Sequence, residues 1–575
     1  MTRLRLLRTG VLLLLTGVLC SLFFHTLWDL QVLRGAEYRA RSMRAGSAVV
    51  SVAVARGAIT DRNGTVLVDD RLCCRVVLGA DVSPAELRAL ADLCARQGAE
   101  YTLPEPGRSE GHILVADADT ALVAALRELD LSGVSLETAA VRQYHTACAA
   151  HLLGRTGPVS GADWPEYQAR GYAFNERVGR DGAERAFETV LHGVPGRERL
   201  DADGTVAETL SPPQPGSTVQ LTLDLRLQET AEEALARFIA DTPGAEGGAA
   251  VVIEVGTGEI LAAASYPSYD PATFNELYGQ LAADPLHPLF NRAFQGLYAP
   301  GSTFKMVTAV AALEEGVITP DTRIRDTGVF TAYRDYQPAC WLYRQRRATH
   351  GLLNVSEALA VSCNVFFYTL GYQLGIDLLD YYALRFGLGR PTGVELPESV
   401  GSVAGPARSE QLGTAWFAGS TLAAAIGQSD HQFTPLQLAS YTATLAAGGK
   451  RYTPHLLRAV CPADGSAPIV SEPEPEATLS LAPETLTAVT AGMRAVTESG
   501  GTAAAYFADF DIPVAAKTGS AQVAQNAHSN AVFVCFAPAD KPEIAMALVV
   551  EKGGGGAALA SVARELLDCW FYPDS

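Results

Sequence analysis

The chain has 575 residues, a length that predicts two or three folded domains rather than one. Its composition, 48% hydrophobic and 19% charged, excludes an intrinsically disordered or collagen-like protein. The formal net charge of -19 argues against a nucleic-acid-binding surface and against a polyanionic substrate, so we expect no nucleic-acid partner.

The N-terminus carries an apolar segment. Residues 10–28 contain no formally charged residue, which approaches the roughly 20 residues that span a bilayer. This run is longer than a signal-peptide core and no small-x-small cleavage site follows it, which favours an uncleaved anchor over a cleaved signal peptide. Arginines at positions 3, 5 and 8 predict a cytoplasmic tail over residues 1–9 and a transmembrane helix over 10–30. We therefore expect a single-pass protein of the cytoplasmic membrane whose bulk lies outside the cytoplasm.

The clearest domain boundary is the Ser-Pro-Pro-Gln-Pro-Gly-Ser sequence at 211–217, because three prolines in five residues cannot continue a helix or a central strand. It predicts an N-terminal domain over 31–215 and a C-terminal domain over 216–575. The first of these mixes strand-like runs at 47–59 and 65–68 with helical stretches at 84–97 and 119–129.

The C-terminal domain begins and ends with hairpin patterns. Apolar runs at 248–255 and 259–265 flank Gly256-Thr257-Gly258, and a second pair lies at 530–538 and 543–551. Mostly helical segments lie between the two hairpins, and a last amphipathic helix is predicted over 557–570. The first and last strands therefore share one antiparallel sheet with helices packed on its faces.

A serine and a lysine mark the start of one of these helices. Ser302 and Lys305 open a strongly apolar run that ends near Gly316, and a spacing of three places both on one helical face. A buried lysine loses its proton readily and could activate the serine as a nucleophile, which arginine could not do. The alternative interpretation is a serine that caps the helix and a lysine that extends into solvent.

Two further motifs favour the catalytic interpretation. Ser362-Cys363-Asn364 interrupts two helical stretches, and Lys517-Thr518-Gly519-Ser520 follows an apolar strand predicted over 512–516. The chain has only five lysines among its 44 basic residues, and two of the five fall in these motifs. These two positions therefore have the pattern of chemically constrained residues.

The order SxxK, SxN, KTG resembles the signature of the active-site-serine penicillin-recognising enzymes. Other stretches resemble class B penicillin-binding proteins in particular, so that the resemblance covers nearly the whole chain. They are Arg56-Gly57-Ala58-Ile59, Asp61-Arg62-Asn63-Gly64, Gly179-Arg180-Asp181-Gly182 with Glu184, Asp201-Ala202-Asp203-Gly204, and Gly427-Gln428 with Thr434-Pro435.

This resemblance implies an α+β fold. The C-terminal domain would be a penicillin-binding transpeptidase fold, a five-stranded antiparallel sheet flanked by helices. An elongated mixed α/β pedestal or dimerisation-like domain and one transmembrane helix would precede it. The implied activity is that of a peptidoglycan D,D-transpeptidase, which cross-links stem peptides of lipid-linked glycan strands through a serine acyl-enzyme and is inhibited covalently by β-lactams.

The resemblance also implies the role of each motif residue. Ser302 would attack the D-Ala-D-Ala carbonyl and Lys305 would be the general base, while Ser362 would relay a proton to the leaving amine. The oxyanion hole would consist of the backbone N–H groups of Ser302 and Ser520. The remaining roles would be hydrogen bonding to the donor peptide by Asn364, control of protonation by Lys517, and carboxylate binding by Thr518, Gly519 and Ser520.

The stretch between SxxK and SxN resembles a zinc-bearing region of some elongation-type members. It contains Asp326, Asp335, Cys340, His350 and Cys363, and tetrahedral zinc needs four such ligands. The set that the resemblance implies is Asp326, Asp335, His350 and Cys363. A Cys340–Cys363 disulfide or two free thiols explain the cysteines equally well, and no cofactor is required for the acyl transfer itself.

The same resemblance implies a separate partner, a polytopic membrane glycosyltransferase that would polymerise the glycan. Elongation, division and sporulation members all share these motifs, and the Tyr-Arg-Asp-Tyr sequence at 333–336 favours the elongation type. Two other functions remain open at this point. One is hydrolysis by a D,D-carboxypeptidase or β-lactamase, and the other is a non-catalytic scaffold for cell-wall assembly.

Overall fold

The fold is that of a computed structural model of the chain. The structure describes residues 2–34, 48–52, 54–79, 82–105, 109, 111–129, 133–172, 176–200, 206–522 and 528–573. The Asp201-Ala202-Asp203-Gly204 motif lies outside the described residues.

The N-terminal apolar segment forms one long helix. Thr2–Trp28 is α-helical and a π-helical turn, Asp29–Leu33, continues it. The helix Leu7–Leu33 contains an 18-residue window with a mean hydropathy of 2.0, and no residue of that window is buried against the rest of the chain. Its length and composition suit a membrane anchor, as the sequence predicts.

The part of the chain before residue 217 mixes short helices and strands. The helix predicted over 84–97 is present as Pro84–Gln97, with Ser83 and Glu86 forming a capping box. The other helices of this part are Thr120–Leu129, Ala150–Leu153, Trp164–Ala169, Gly182–Ala186 and Glu188–Leu191. Its strands are Ala48–Val52, Ile59–Thr60, Val66–Leu78, His112–Ala118, Val134–Tyr144, Thr156–Pro158, Arg177–Gly179, Gly196–Leu200 and Val206–Ser211.

The chain divides into two compact units. The first comprises Met1–Arg56, Leu72–Val141 and Gly193–Gly216. Its core is a small apolar cluster in which helices 84–97 and 120–129 contribute Leu90, Leu93 and Leu122. The second unit comprises Gly57–Arg71, Arg142–His192 and Ser217–Ser575.

Most of the second unit's elements follow residue 217. Its helices there are Leu225–Asp241, Phe274–Ala283, Arg292–Gln295, Lys305–Glu314, Trp341–Arg346, Val355–Ala360, Asn364–Arg385, Pro406–Gln411, Ala418–Ala424, Pro435–Ala446, Pro483–Ala495, Ala504–Phe507 and Ala560–Phe571. Its strands there are Thr218–Leu221, Gly248–Glu254, Ile260–Tyr266, Ile324–Asp326, Gly351–Leu353, Lys450–Tyr452, Leu457–Cys461, Ile469–Val470, Pro475–Thr478, Ala515–Ala521, Asn530–Ala537 and Ile544–Val550.

A five-stranded antiparallel sheet organises this unit. We number its strands β1 (Gly248–Glu254), β2 (Ile260–Tyr266), β3 (Ala515–Ala521), β4 (Asn530–Ala537) and β5 (Ile544–Val550). Their order in the sheet is β2-β1-β5-β4-β3, so the first and last hairpins of the domain are joined through β1 and β5. Both predicted hairpins and their shared sheet are confirmed. Strand β3 lies at one edge.

Alternate residues of the strands face two different helical layers. Val251 and Ile253 belong to the core formed with helices 305–314 and 435–446. Ala250 and Val252 belong to the core formed with helices 225–241 and 560–571. A sheet buried on both faces is held rigidly, which suits it to position side chains at its edge strand.

Several predicted boundaries shift in the structure: the strand-like run predicted over 65–68 extends as Val66–Leu78, and that over 47–59 contains two separate strands, Ala48–Val52 and Ile59–Thr60. The last helix begins at Ala560 rather than at residue 557. Strand β3 does not stop before Lys517 but contains the whole KTG motif, because pairing with β4 continues from Ala515 to Ala521. The KTG side chains are therefore presented by a strand and not by a loop.

Candidate active site

Ser302 lies in a tight turn directly before a buried helix. Gly301–Phe304 form a 3-10 turn, and helix α1 (Lys305–Glu314) follows it. The sequence predicts Ser302 in the first turn of the α-helix, whereas the structure places it one turn earlier in this 3-10 segment. We call residues 301–304 the serine turn. Eight of the ten residues of α1 are buried, so the helix fixes the turn in place.

Glycines let other backbone segments approach the serine turn closely. Gly301 donates its N–H to the carbonyl of Gly427 at 2.9 Å. A Cβ on Gly427, which has a φ of 74°, would lie 2.0 Å from the Gly301 carbonyl oxygen. That distance is far shorter than a van der Waals contact, so any larger residue at 427 would displace the turn.

The serine turn also contacts strand β3. A Cβ on Gly519 would lie 2.9 Å from the Pro300 carbonyl oxygen, and one on Gly301 would lie 3.0 Å from that of Ser520. Gln428 holds the strand from another side, donating from Nε2 to the Ser520 carbonyl at 3.1 Å. The backbones that carry the predicted oxyanion-hole N–H groups are therefore neighbours, and β3 is an edge strand with backbone groups free of a strand partner on one side.

Three helices that follow α1 in the chain surround the next motif: α2 (Trp341–Arg346), α3 (Val355–Ala360) and α4 (Asn364–Arg385). The SxN segment, Ser362-Cys363-Asn364, connects α3 to α4. Ser362 has a φ of 53°, in the left-handed region that costs a non-glycine residue about 1 kcal/mol or more. The Ser362 and Asn364 side chains are both buried. Such strain in a buried polar link is typical of a functional site.

Two lysine amines meet at the hydroxyl of Ser362. Lys305 Nζ donates to the Ser362 carbonyl at 2.9 Å, to Ser362 Oγ at 3.2 Å and to Asn364 Oδ1 at 2.6 Å. Lys517 Nζ donates to Ser362 Oγ at 3.0 Å and to the Thr518 carbonyl at 3.0 Å. The structure thus brings together four of the five predicted catalytic side chains. We expected the Lys305 amine at the Ser302 hydroxyl; its hydrogen bonds here are to the SxN segment.

The environment of both lysines disfavours their charged forms. Neither has any exposed surface. Burial lowers the pKa of Lys305 to about 8. Burial, and then the nearby charge of Lys305, hold the pKa of Lys517 well below its ordinary value. Two ammonium groups cannot share one hydroxyl oxygen cheaply, so the arrangement favours at least one neutral amine that can accept a proton.

The predicted carboxylate-binding residues lie along β3. Thr518 is buried and its Oγ1 is 2.9 Å from Thr502 Oγ1, a contact that sequence reasoning missed. Ser520 is exposed, and its Oγ accepts the N–H of Gly556 at 3.3 Å. Thr502 follows a Gly-Gly pair, which gave no signal of its own in the sequence.

Four potential metal ligands converge next to the SxN segment. Ligand atoms of Asp326, Cys340, His350 and Cys363 all lie within 4.8 Å of one another. His350 Nδ1 lies 2.8 Å from Asp326 Oδ2, and Cys340 Sγ lies 3.7 Å from the same ring nitrogen. Asn364 donates its backbone N–H to Cys340 Sγ at 3.4 Å. The cluster is therefore bonded directly to a predicted catalytic residue.

One ligand of the predicted metal set is corrected by this geometry. Asp335 is exposed and is not in the cluster, and Cys340 takes its place with a fully buried thiol. All ten cysteines lie in the described residues and are free. The Cys363 thiol and the Cys340 sulfur share a hydrogen bond, which lowers the pKa of Cys340 and raises that of Cys363.

The donor chemistry of this cluster suits zinc. Two thiols, one imidazole and one carboxylate are ligand types that tetrahedral zinc accepts. His350 turns Nδ1 toward the other three ligands, so one ring nitrogen, two sulfurs and a carboxylate oxygen face one another. The residues present therefore fit a bound zinc ion.

Two families of penicillin-binding protein domains match most of the chain. The family described as "Penicillin binding protein transpeptidase domain" matches residues 248–568, and "Penicillin-binding Protein dimerisation domain" matches residues 51–221. The peptidoglycan D,D-transpeptidase MrdA of Escherichia coli K12 is 32% identical, over 97% of this chain and 92% of its own. MrdA of Acinetobacter baumannii is 32% identical, over 98% and 86%.

Solved structures agree in fold. Penicillin-binding protein PBP2 of Helicobacter pylori, determined in complex with MreC, has a TM-score of 0.77 at 27% identity, covering 92% of this chain and 99% of its own. PBP2 of Pseudomonas aeruginosa, in complex with WCK 5153, has a TM-score of 0.69 at 30% identity, covering 91% and 96%.

Proposed function

The chain belongs to the class B penicillin-binding proteins, and we propose that it cross-links peptidoglycan as an elongation-type D,D-transpeptidase through an acyl-enzyme on Ser302. The observation that carries the residue assignment is the convergence of Lys305 and Lys517 on the Ser362 hydroxyl beside the serine turn. The two family matches also support a pedestal domain within 31–215 and a transpeptidase domain within 216–575.

The first half-reaction forms the acyl-enzyme. Ser302 Oγ attacks the D-Ala-D-Ala carbonyl carbon, and its proton passes to the neutral amine of Lys305. The developing oxyanion accepts hydrogen bonds from the backbone N–H groups of Ser302 and Ser520, which the glycine contacts hold close together. Thr518 and Ser520 bind the terminal carboxylate on β3, where Gly519 permits the close approach.

Proton transfer to the leaving group follows the hydrogen bonds around Ser362. The proton held by Lys305 moves through Ser362 Oγ to the nitrogen of the departing D-alanine, and Lys517 on the same hydroxyl biases the direction. Asn364 fixes Lys305 through its Oδ1 and orients the donor peptide. An acceptor amine then attacks the acyl-enzyme, the same relay removes the amine's proton, and Ser302 is released.

A zinc ion would be held by Asp326, Cys340, His350 and Cys363. When bound, it would supply structural bracing rather than Lewis-acid chemistry, because all four tetrahedral positions would be filled by protein ligands. Cys363 lies between Ser362 and Asn364, and Cys340 accepts the Asn364 N–H. These residues therefore hold the strained SxN backbone in place.

The membrane arrangement and the partner extend the same proposal. The helix at Leu7–Leu33 anchors the protein, and the arginines that precede it favour a cytoplasmic N-terminus with the catalytic domain outside. A polytopic membrane glycosyltransferase supplies the glycan strands. A solved relative from a peptidoglycan synthase complex that coordinates polymerisation and cross-linking is 30% identical over 99% of both chains, with a TM-score of 0.75. This relative supports the partner class.

Intact-mass labelling of the full-length protein with benzylpenicillin tests the assignment. We expect one stable adduct per chain in the wild type and none in Ser302→Ala, with the adduct located on a peptide containing Ser302. Rapid turnover of the drug would indicate a hydrolase, and absence of any adduct would indicate a scaffold. Either result would contradict the proposal.

A further inference from the structure

The segment from Arg323 to Arg347 is basic within an acidic protein. It contains six arginines and two aspartates, whereas the chain as a whole has a formal charge of -19. We call residues 323–347 the arginine segment. It lies in the second unit, between helix α1 and helix α3, and includes helix α2.

Most of these arginines lack an acidic partner. Arg323 pairs with Glu357 at 3.1 Å. The other five arginine side chains are exposed, and within the described residues none has a carboxylate oxygen within 4 Å; they are Arg325, Arg334, Arg344, Arg346 and Arg347. Exposed arginines elsewhere in the same unit do have such partners, for example Arg170, Arg237 and Arg494. The segment thus presents uncompensated positive charge.

The arginine segment is attached to the catalytic SxN segment. Cys340 immediately precedes α2 and its sulfur accepts the N–H of Asn364. Trp341, the first residue of α2, donates its indole N–H to the Val361 carbonyl at 3.1 Å. Arg344 lies about 6 Å further along α2 than Cys340, given a rise of roughly 1.5 Å per residue. The exposed arginines of α2 therefore belong to a helix whose N-terminal end is hydrogen-bonded to the segment that carries Ser362 and Asn364.

Aromatic contacts hold the rest of the segment on helix α4. Tyr333 packs against Tyr372 with ring centroids 5.4 Å apart, and Phe330 packs against Tyr368 at 6.2 Å. Tyr368 lies one helical turn after Asn364.

We propose that the arginine segment is an anion-binding surface that recognises carboxylates of an acidic peptide substrate upstream of its scissile bond. This proposal rests on the proposed function, since the peptide must reach Ser302. Guanidinium groups match carboxylates with paired N–H donors, and several of them on one short segment favour an extended anionic chain. The hydrogen bonds from this segment to residues 361–364 favour the peptide over an anionic membrane surface as the occupant.

Two synthetic peptides test the proposal directly. Both end in D-Ala-D-Ala; one has free side-chain and upstream carboxylates, and in the other these are amidated. With the full-length wild type we expect kcat/KM for D-alanine release to be about tenfold higher on the acidic peptide, mainly through KM, which is what three exposed charge contacts supply. The preference should shrink as salt is added.

The matched variant is the triple substitution Arg344→Gln, Arg346→Gln and Arg347→Gln. We expect it to abolish the preference, whereas the lysine version of the same triple keeps most of it. Arg170→Gln, Arg237→Gln and Arg494→Gln together make the same change in net charge away from the segment and should preserve the preference. Benzylpenicillin acylation should be unchanged in all variants, because the drug carries no upstream peptide.

Several results would overturn the proposal. Equal kcat/KM on the two peptides in the wild type, or equal loss of preference in the distant triple variant, would exclude recognition by this surface. Loss of binding to phosphatidylglycerol vesicles in the segment variant with the peptide preference intact would assign the surface to the membrane. Failure of benzylpenicillin to acylate the wild type would instead contradict the proposed function. Acylation is measured separately from the peptide preference, so the two failures can be distinguished.

Discussion

The catalytic cleft and the arginine segment use positive charge in opposite ways. The cleft contains two lysines without exposed surface, whose amines converge on one serine hydroxyl. The arginine segment is hydrogen-bonded to residues 361 and 364 and exposes five guanidinium groups that have no carboxylate oxygen within 4 Å in the part of the chain that the structure describes. Lysine in the cleft and arginine in the arginine segment suit different chemistry, because a buried amine can exchange a proton at accessible pH whereas a guanidinium cannot.

Burial has opposite consequences in the two regions. In the cleft it removes water from the lysines, lowers their pKa values and makes one of them a base. On α2 the charges remain hydrated and fixed, so they can attract an anion but cannot transfer a proton. Substitutions of the buried lysines and of the residues that support the arginine segment should therefore have different effects.

Exchanging the residue type within the cleft should have the largest effect. Lys305→Arg keeps a positive charge but removes the amine that contacts both Ser362 and Asn364 and that can accept a proton. We expect the second-order rate of benzylpenicillin acylation to fall by about a thousandfold, within the range that general-base catalysis contributes. Intact-mass kinetics on the full-length protein measures this rate.

The control is Lys541→Arg, an exposed lysine in the loop between β4 and β5. It should acylate at the wild-type rate. If the acylation rate of Lys305→Arg were within a factor of a few of the wild-type rate, acylation would not require a neutral lysine. The choice of lysine in the cleft and arginine in the arginine segment would then not be explained by catalysis.

Cys340 joins the two regions, so its removal should affect both by a smaller amount. In Cys340→Ala we expect loss of bound zinc, measured by elemental analysis of the purified protein, and a lower Tm. A ligand at one hundred times its Kd contributes about 3 kcal/mol to stability. Acylation and the preference for the acidic peptide should both decrease, because the Asn364 N–H and the start of α2 lose their shared sulfur.

Cys535→Ala is the matched control, since Cys535 is equally buried but lies in strand β4 outside the cluster. It should keep its zinc and respond to a chelator as the wild type does. A wild type without bound zinc and with a chelator-insensitive Tm would exclude the metal. A mass reduced by two thiol hydrogens, restored by a reductant, would instead indicate a Cys340–Cys363 disulfide.

Local motifs made much of this architecture predictable. Each hairpin consists of two apolar runs joined by a short connection, and the SxN segment separates two helices. Both features are present where the sequence predicts them. The placement of Lys305 and Lys517 within motifs of a lysine-poor chain predicts that both belong to one site, and the structure brings both amines to Ser362 Oγ.

The unpredicted features depend on contacts between distant parts of the chain. The Lys305 amine contacts Asn364 Oδ1 although 59 positions separate the two residues in the sequence. The hydroxyls of Thr502 and Thr518 are in contact although 16 positions separate them. Asp335 and Cys340 are five residues apart and both are plausible ligands by type, so only burial distinguishes them. Whether an arginine of the arginine segment has an acidic partner likewise depends on where distant carboxylates lie in the folded chain, which the sequence does not give.

The pH dependence of acylation tests the central claim most directly. In the proposed mechanism the neutral form of Lys305 is the base, and burial lowers its pKa to about 8, so the neutral fraction rises with pH up to that value and then levels off. The benzylpenicillin acylation rate of the wild type should therefore rise about tenfold per pH unit below that point and level off above it. A rate that is flat from pH 6 to 10, or that still rises at pH 10 as expected for an ordinary lysine, would contradict the account.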